Sequence, residues 1–246
     1  MTHQAKDVLQ QLKELGSLHN AAIYRRHGIA GEIFGVSYAH LRPMAKRLSK
    51  DSALAQALWN SAVHDARILA CMIADPATFP RALADVWIRD LDNYVVTDEF
   101  AKLAGSLPYA QRLIKAWSQS DEEWTASAGW TALSVYALQN PVPPNSYFAE
   151  YVDEIRASIH TRKNRVRHAM NQALIAIGLR NDDLQAMALG AAMTIGKVNV
   201  DHGETNCVTP DAASYILKAV ERRKRVADRK AEKNKNALKK NRRKNR

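Results

Sequence analysis

The sequence predicts an all-α protein, a stack of short helical pairs forming an α-solenoid, followed by a separate and very basic C-terminal segment. Three observations carry this expectation. Apolar residues recur at helical spacing along most of the chain, no stretch shows the period-two alternation of a half-buried strand, and turn-forming residues interrupt the helical stretches at short intervals.

The helical spacing is first seen in Val8, Leu9, Leu12 and Leu15, then in Leu41, Met44, Ala45 and Leu48, and then in Ile68, Leu69, Met72 and Ile73. Further amphipathic stretches follow at about 78–90, 94–104, 108–117, 121–138, 145–159, 163–178, 182–195 and 210–226. Stops fall at Asp75-Pro76 and Phe79-Pro80, from Gly105 to Pro108, along Asn140-Pro141-Val142-Pro143-Pro144-Asn145, and at Gly178 followed by Asn181 and Asp182. About a dozen short helices with brief connections result, and a pair length of about 35–45 residues fits HEAT-like repeats. The expected body is a solenoid over 1–220, curved with a concave basic groove. Trp124, Ala128, Ala132, Val135 and Leu138 are read as contacts between neighbouring helices.

With 246 residues, 46% of them hydrophobic, the chain can bury a substantial core. Its apolar runs, such as Ala186 to Ile195, are interrupted well short of the roughly 18 residues a membrane span needs. Residues 1–13 lack the apolar stretch and cleavage site of a secretory signal, so a cytoplasmic protein, nucleoid-associated when bound to DNA, is expected. Cys71 and Cys207 are too few for a disulfide framework or a thiolate zinc site, and reduced thiols are expected.

The charge is unevenly placed. Residues 221–246 hold 14 of the 36 Lys and Arg and three of the 25 acids, so this segment alone carries the formal excess of +11 while the body is neutral. A polycationic segment poor in large apolar side chains cannot fold alone, whether it stays disordered or turns helical on a partner, and it gains affinity for polyanions by releasing their counterions. Nucleic acid is the natural partner, although such a tail also acts as a solubilising segment. Arg222, Arg223, Lys224 and Arg225 open it.

Within the body, Arg156, His160, Arg162, Lys163, Arg165, Arg167 and His168 place five permanent cations within twelve residues. On one continuous helix His160, Lys163, Asn164, Arg167 and Asn171 would share a face and meet a phosphate backbone, with Gln172 beside them; a solvated helix face is the plain alternative. A second feature is Tyr94 followed four residues later by Asp98, which puts an aromatic ring and a carboxylate on one helical face. A carboxylate beside an aromatic can stabilise the positive charge that develops on a sugar as its base departs. Sequence chemistry alone favours Asp98 as an N-cap or ion-pair partner. The loop from Val198 to Pro210 holds Asp201, His202, Glu204 and Cys207, whose spacing matches no strong metal signature; a turn capping the next helix through Thr209-Pro210-Asp211 explains it, and no metal or organic cofactor is expected.

The segment from Phe34 through Tyr38 to Lys46, the stretch from Leu58-Trp59 to Arg67 and Ala70, and Ser120-Asp121-Glu122-Glu123-Trp124 together resemble the AlkD-like DNA alkylation repair family of HEAT-like-repeat DNA glycosylases, over roughly residues 20–200. The resemblance implies excision of cationic N3- and N7-alkylpurines from duplex DNA by a cofactor-free monomer. It also implies that Tyr94 and Asp98 contact the lesion nucleotide, Asp98 stabilising the cationic sugar. Two positions depart from the family pattern. Ser127 stands where an arginine is usual, and Gln172 stands where a second aromatic is usual. They leave open a non-catalytic HEAT-like binder of DNA or structured RNA, or a protein-binding scaffold. The loop at Asp201–Cys207 and the tail resemble a divergent branch.

Overall fold

The computed structural model describes residues 3–226 and Arg229, and these are helical or irregular, without a strand. The helices are α1 (His3–Leu15), α2 (Leu18–Arg26), α3 (Tyr38–Leu48), α4 (Ser52–Trp59), α5 (His64–Ile73), α6 (Arg81–Trp87), α7 (Tyr94–Ala104), α8 (Ala110–Ser118), α9 (Glu123–Gln139), α10 (Asn145–Ser158), α11 (Asn164–Gly178) and α12 (Asp182–Ile195). A thirteenth, α13, covers 212–226. Most of the 221–246 basic segment lies outside the described residues. Among those described, no helix is long and apolar enough to cross a membrane.

Local chemistry starts the helices where turns were expected. Asp51 accepts from Leu54 N at 2.9 Å, Asn181 from Leu184 N at 3.0 Å and Asp211 from Ser214 N at 2.8 Å, each satisfying an orphan amide of a first turn. The predicted stretch at 145–167 behaves differently. α10 ends at Ser158, a 3-10 turn covers Ile159–Thr161, and α11 begins only at Asn164, with Lys163 at its N-cap. His160 therefore does not belong to the helix that carries Arg167 and Asn171, and the single face drawn through all of them does not form.

The helices pack as neighbouring pairs around one continuous apolar core that runs from Ala5 to Ile216. α9 lies at its centre, against α7, α8 and α11. Small residues allow that density: a Cβ on Gly129 would stand 2.4 Å from Ser118 N, and one on Gly105 would stand 2.6 Å from Ala132 O. Ala128 and Ala132 are fully buried as expected, whereas Leu138, at the end of α9, is 55% exposed. Trp59 of α4 and Trp87 of α6 stack with ring centroids 4.0 Å apart, and Phe100 of α7 sits against both. Trp117 of α8 extends the aromatic column from Phe100, so the helix carrying Tyr94 and Asp98 is wedged on its apolar side by large rigid groups.

The loop between α2 and α3 is held by one carboxylate. Asp65 of α5 is fully buried, and its carboxylate accepts the backbone amides of Phe34 at 2.7 Å, Gly35 at 3.4 Å and Val36 at 2.7 Å. Gly35 has φ +79°, and a Cβ there would meet Ser17 O at 2.3 Å, so only glycine lets the loop pass against the start of α2. The Tyr24 hydroxyl of α2 donates to Val36 O at 3.0 Å, tying α2 to the same loop.

Replacing Asp65 leaves three amides without their charged acceptor in a dry site, each worth about 1–3 kcal/mol. Asp65→Ala is expected to lower unfolding free energy by about 3 kcal/mol or more in a urea titration; a loss below about 1 kcal/mol would show that the clamp is dispensable.

Candidate nucleic-acid interface

Tyr94 and Asp98 lie on the first turns of α7, whose start is fixed by Asn93. The Asn93 side chain accepts from Val95 N and Val96 N, both at 3.1 Å, and its carbonyl takes the Thr97 hydroxyl at 2.7 Å. Asn93 is thus the N-cap, and Asp98 has no ion pair within 4 Å among the described residues. The sequence-chemistry reading of Asp98 as a cap or ion-pair partner is overturned. With Val96 and Phe100 committed to the core, Tyr94, Asp98 and Lys102 form the opposite edge of the helix.

That edge faces a cleft of about 370 Å³ shared with Ile23, Tyr24 and His27 from α2 and its end, and with Tyr38 and Arg42 from α3. Three tyrosines and two carboxylates, Asp98 and Glu99, therefore face one cavity. The Tyr94 hydroxyl is hydrogen-bonded to His27 Nδ1. Tyr38 donates to Glu99 Oε1 at 3.0 Å, and Lys102 Nζ meets the same oxygen at 2.5 Å, so the charge of Glu99 is neutralised within the protein. The Tyr38 hydroxyl is pushed far above its ordinary range by burial, then by the neighbouring Glu99.

Asp98 is the exception among these acids. Burial raises its carboxyl from 3.8 to about 6, against the opposing pull of Arg165 and Lys102 and of the nearby Thr131 side chain. Thr131 comes from α9, one turn after Ser127. Ser127 itself is buried, and its hydroxyl has no hydrogen-bond partner among the described residues.

Beyond Arg42 and Lys102, which line the cleft, the basic run brings one cation to its edge, Arg165. Its guanidinium carbon lies 4.2 Å from the centroid of the Tyr94 ring. Its backbone amide donates to Glu123 Oε1 at 2.6 Å, which fixes the start of α11. Its neighbours in the basic run and along α11 divide. Lys163 is exposed, and Arg167 is half-buried with Nη2 3.4 Å from Asn164 Oδ1. Asn164 spends its amide on the 197–210 segment, donating to Asp201 O and accepting from Asp201 N, both at 2.7 Å. Asn171 is 1% exposed and donates to Pro210 O at 3.0 Å, so it anchors the same segment from inside rather than meeting solvent. His160 is exposed, with Nε2 2.9 Å from Ile195 O, and Gln172 is partly exposed. Arg222, Arg223, Lys224 and Arg225 are exposed on α13, although Arg223 donates to Leu179 O at 2.5 Å and Arg225 is paired with Glu221.

The 197–210 segment crosses to the other end of the chain, where Gly203 to Cys207 line a cavity of about 560 Å³ with Arg26 and His27. Its potential ligands serve the loop itself: Asp201 Oδ1 accepts from Gly203 N at 2.8 Å, and His202 Nε2 lies 2.9 Å from Thr209 Oγ1.

The DNA alkylation repair enzyme family matches residues 8–216. The chain belongs to that family. An uncharacterized protein of Listeria monocytogenes is 30% identical over 221 residues, covering 87% of this chain and 96% of the relative. An uncharacterized protein of Listeria innocua is 29% identical over 216 residues, covering 85% and 94%. A solved structure superposes with a TM-score of 0.81 at 26% identity, covering 88% of this chain and 94% of its own. It represents a new family of proteins related to the HEAT-like repeat DNA glycosylases, with affinity for branched DNA structures. The HEAT-like helical-repeat architecture of this family member follows from that superposition together with its all-helical described residues.

The Asp98 shift links pH to stability. Because the folded pKa of about 6 exceeds the unfolded 3.8, the folded state holds the proton more tightly, and stability falls as pH rises from about 4 through 6. The shift of about two units, discounted for partial exposure, amounts to ~2 kcal/mol. Asp98→Asn is expected to be more stable than the unsubstituted chain at pH 7.5 by that amount and equal to it near pH 4. Chemical denaturation at the two pH values checks this, and a stability gap that does not change with pH would refute it.

Proposed function

We propose that this protein is a DNA-repair protein that takes a nucleotide into the cleft between Tyr94 and Asp98 and hydrolyses the N-glycosidic bond of cationic N3- or N7-alkylated purines. The observation that carries the reading is that, of the two carboxylates in the tyrosine-walled cleft, Asp98 is held without an ion-pair partner among the described residues. Family membership and the solved relative's affinity for branched DNA support DNA as the partner.

In this reading the C1′–N bond breaks with its electron pair leaving on the base, which cancels the positive charge of the alkylated purine. The sugar is left oxocarbenium-like, and Asp98 stabilises that charge while water adds to C1′ and releases a proton. An already cationic purine is a good leaving group, so one carboxylate suffices without a metal. Since Asp98 acts ionised, the rate is expected to rise with pH through about 6. Lys163, Arg167 and the cations from Arg222 to Arg225 are assigned to the DNA backbone, giving affinity without sequence choice.

A second reading is a DNA binder without chemistry. The Arg165 guanidinium over Tyr94 favours it, because the cation covers the ring and opposes positive charge near Asp98. The solved relative's affinity for branched DNA is consistent with the same role.

The test is release of 7-methylguanine and 3-methyladenine from methylated duplex DNA under enzyme excess, alongside binding to linear and four-way DNA. The hydrolytic reading expects release by the unsubstituted chain and by a chain ending at Val220, with loss of at least a hundred-fold in Asp98→Asn at retained binding. No release, with salt-sensitive binding retained, assigns the protein to the second reading.

A further inference from the structure

Four arginines near the start of α11 and at its end differ in what their guanidinium groups do. Arg162 Nη2 donates to Ser118 O at 3.0 Å and to Ser120 O at 2.8 Å, binding the end of α8. Arg180 is held by Ala137 O and Asn140 O. Arg167 reaches Asn164 with Nη2, and the Nε groups of Arg167 and Arg180 are buried without a partner among the described residues. The Arg165 guanidinium makes no hydrogen bond or ion pair among the described residues, although its backbone is fixed by Glu123 and its side chain is half-buried. Its contact is the face of Tyr94, a weak interaction beside what a guanidinium gains from an anion.

An arginine with five donors uncommitted among the described residues, set over the ring of a tyrosine that lines the cleft, is suited to a planar, multi-oxygen anion. The anions facing it are unsuited to that role. Asp98 is not paired with it within 4 Å, Glu99 is taken by Tyr38 and Lys102, and the Glu123 carboxylate accepts its backbone amide rather than its guanidinium. His168 and His202 also lie near Arg165, and both are held below their ordinary range, by burial first and then by the Arg165 charge. Both are therefore neutral at pH 7, offering Arg165 neither a counter-ion nor a competing cation. Ser127, buried in α9 without reaching the cleft, supplies no cation either.

We propose that Arg165 is a phosphodiester-binding residue of this site, which leaves the Tyr94 ring to take a backbone phosphate beside the nucleotide that enters. The ring it uncovers becomes the surface against which the sugar rests. The same movement withdraws positive charge from the neighbourhood of Asp98 when a DNA strand arrives, so the cation that caps the empty cleft ceases to oppose it once the phosphate has claimed it. This assignment rests on DNA being the partner, but holds for either the hydrolytic or the non-catalytic reading.

Salt dependence separates a phosphate contact from a structural role, because each phosphate contact adds about 0.9 to the slope of log affinity against log salt concentration. The full chain, Arg165→Gln, Arg165→Lys and, as a cation outside the site, Arg81→Gln are titrated with labelled four-way and linear DNA across a range of KCl concentrations, with thermal melts to confirm folding. Arg165→Gln is expected to lower affinity roughly ten-fold at low salt and to reduce the slope by about one, with similar effects on any DNA sequence. Arg165→Lys is expected to keep the slope while losing part of the affinity, because a point charge replaces a fork. Arg81→Gln is expected to change neither. An unchanged slope in Arg165→Gln, with binding by the unsubstituted chain intact, overturns the assignment alone. Absence of binding by the unsubstituted chain overturns the functional reading and this assignment with it.

Discussion

The buried carboxylate of Asp65 is the constraint on which the site depends. Three consecutive backbone amides converge on it, and a loop that aims its amides inward is stable only if something negative fills the space between them. By supplying that charge from α5, the protein fixes where α2 ends and where α3 begins. Tyr24, His27, Tyr38 and Arg42 then arrive opposite Tyr94 and Asp98 without any of them having to pay the cost of ordering a free loop. The other wall is set by packing rather than by charge. The Trp59, Trp87 and Phe100 column leaves α7 one orientation, and that orientation turns Tyr94 and Asp98 outward.

The two carboxylates at adjacent positions of α7 show how position decides chemistry. Glu99 is the more buried by exposed area, yet Tyr38 and Lys102 supply both a hydrogen bond and a counter-charge. Asp98 receives only the favourable influence of the nearby Thr131 side chain and the fields of Arg165 and Lys102, which do not offset its loss of water. Stability would favour an uncharged residue at Asp98. Retaining a carboxylate in so unfavourable a place is intelligible when its charge is required by whatever enters the cleft, since strain and unmet solvation gather where a ligand completes the site.

The sequence made the architecture legible wherever one face of a helix had to be apolar. α1, α3, α5 and the helices from α6 to α13 fall on stretches whose apolar spacing marks them, and the Pro- and Asn-rich turns separate them; α4, only eight residues long, is too short to show a period although Leu54, Leu58 and Trp59 are buried. α2 escaped because none of its residues is buried; it is held through the Tyr24 hydroxyl and the tight passage at Gly35, neither of which leaves a hydrophobic period. Tyr94 and Asp98 were legible because their pairing is local, four residues along one helix. Tyr24, Tyr38, Thr131 and Arg165 were not, because they join that pair from α2, α3, α9 and α11, and nothing in local spacing marks a contact across so many residues.

The basic run at 156–168 shows the limit more sharply, because its composition was read as a surface while the structure uses it for three different purposes. Arg162 closes the end of α8, Asn164 and Asn171 hold the 197–210 segment, and Arg165 alone turns its charge to the cleft. A helical-face projection fails here for a definite reason. The chain makes a 3-10 turn at Ile159–Thr161 and restarts at Asn164, so the residues before and after lie on different axes. What sets the Arg165 guanidinium apart from those of Arg162, Arg167 and Arg180 is that none of its donors is engaged among the described residues, whereas each of the others has at least one donor committed to the fold. In a repeat protein, where each helical pair chiefly contacts the next, a side chain left uncommitted beside residues from the other end of the chain marks the place where the fold leaves room for a ligand.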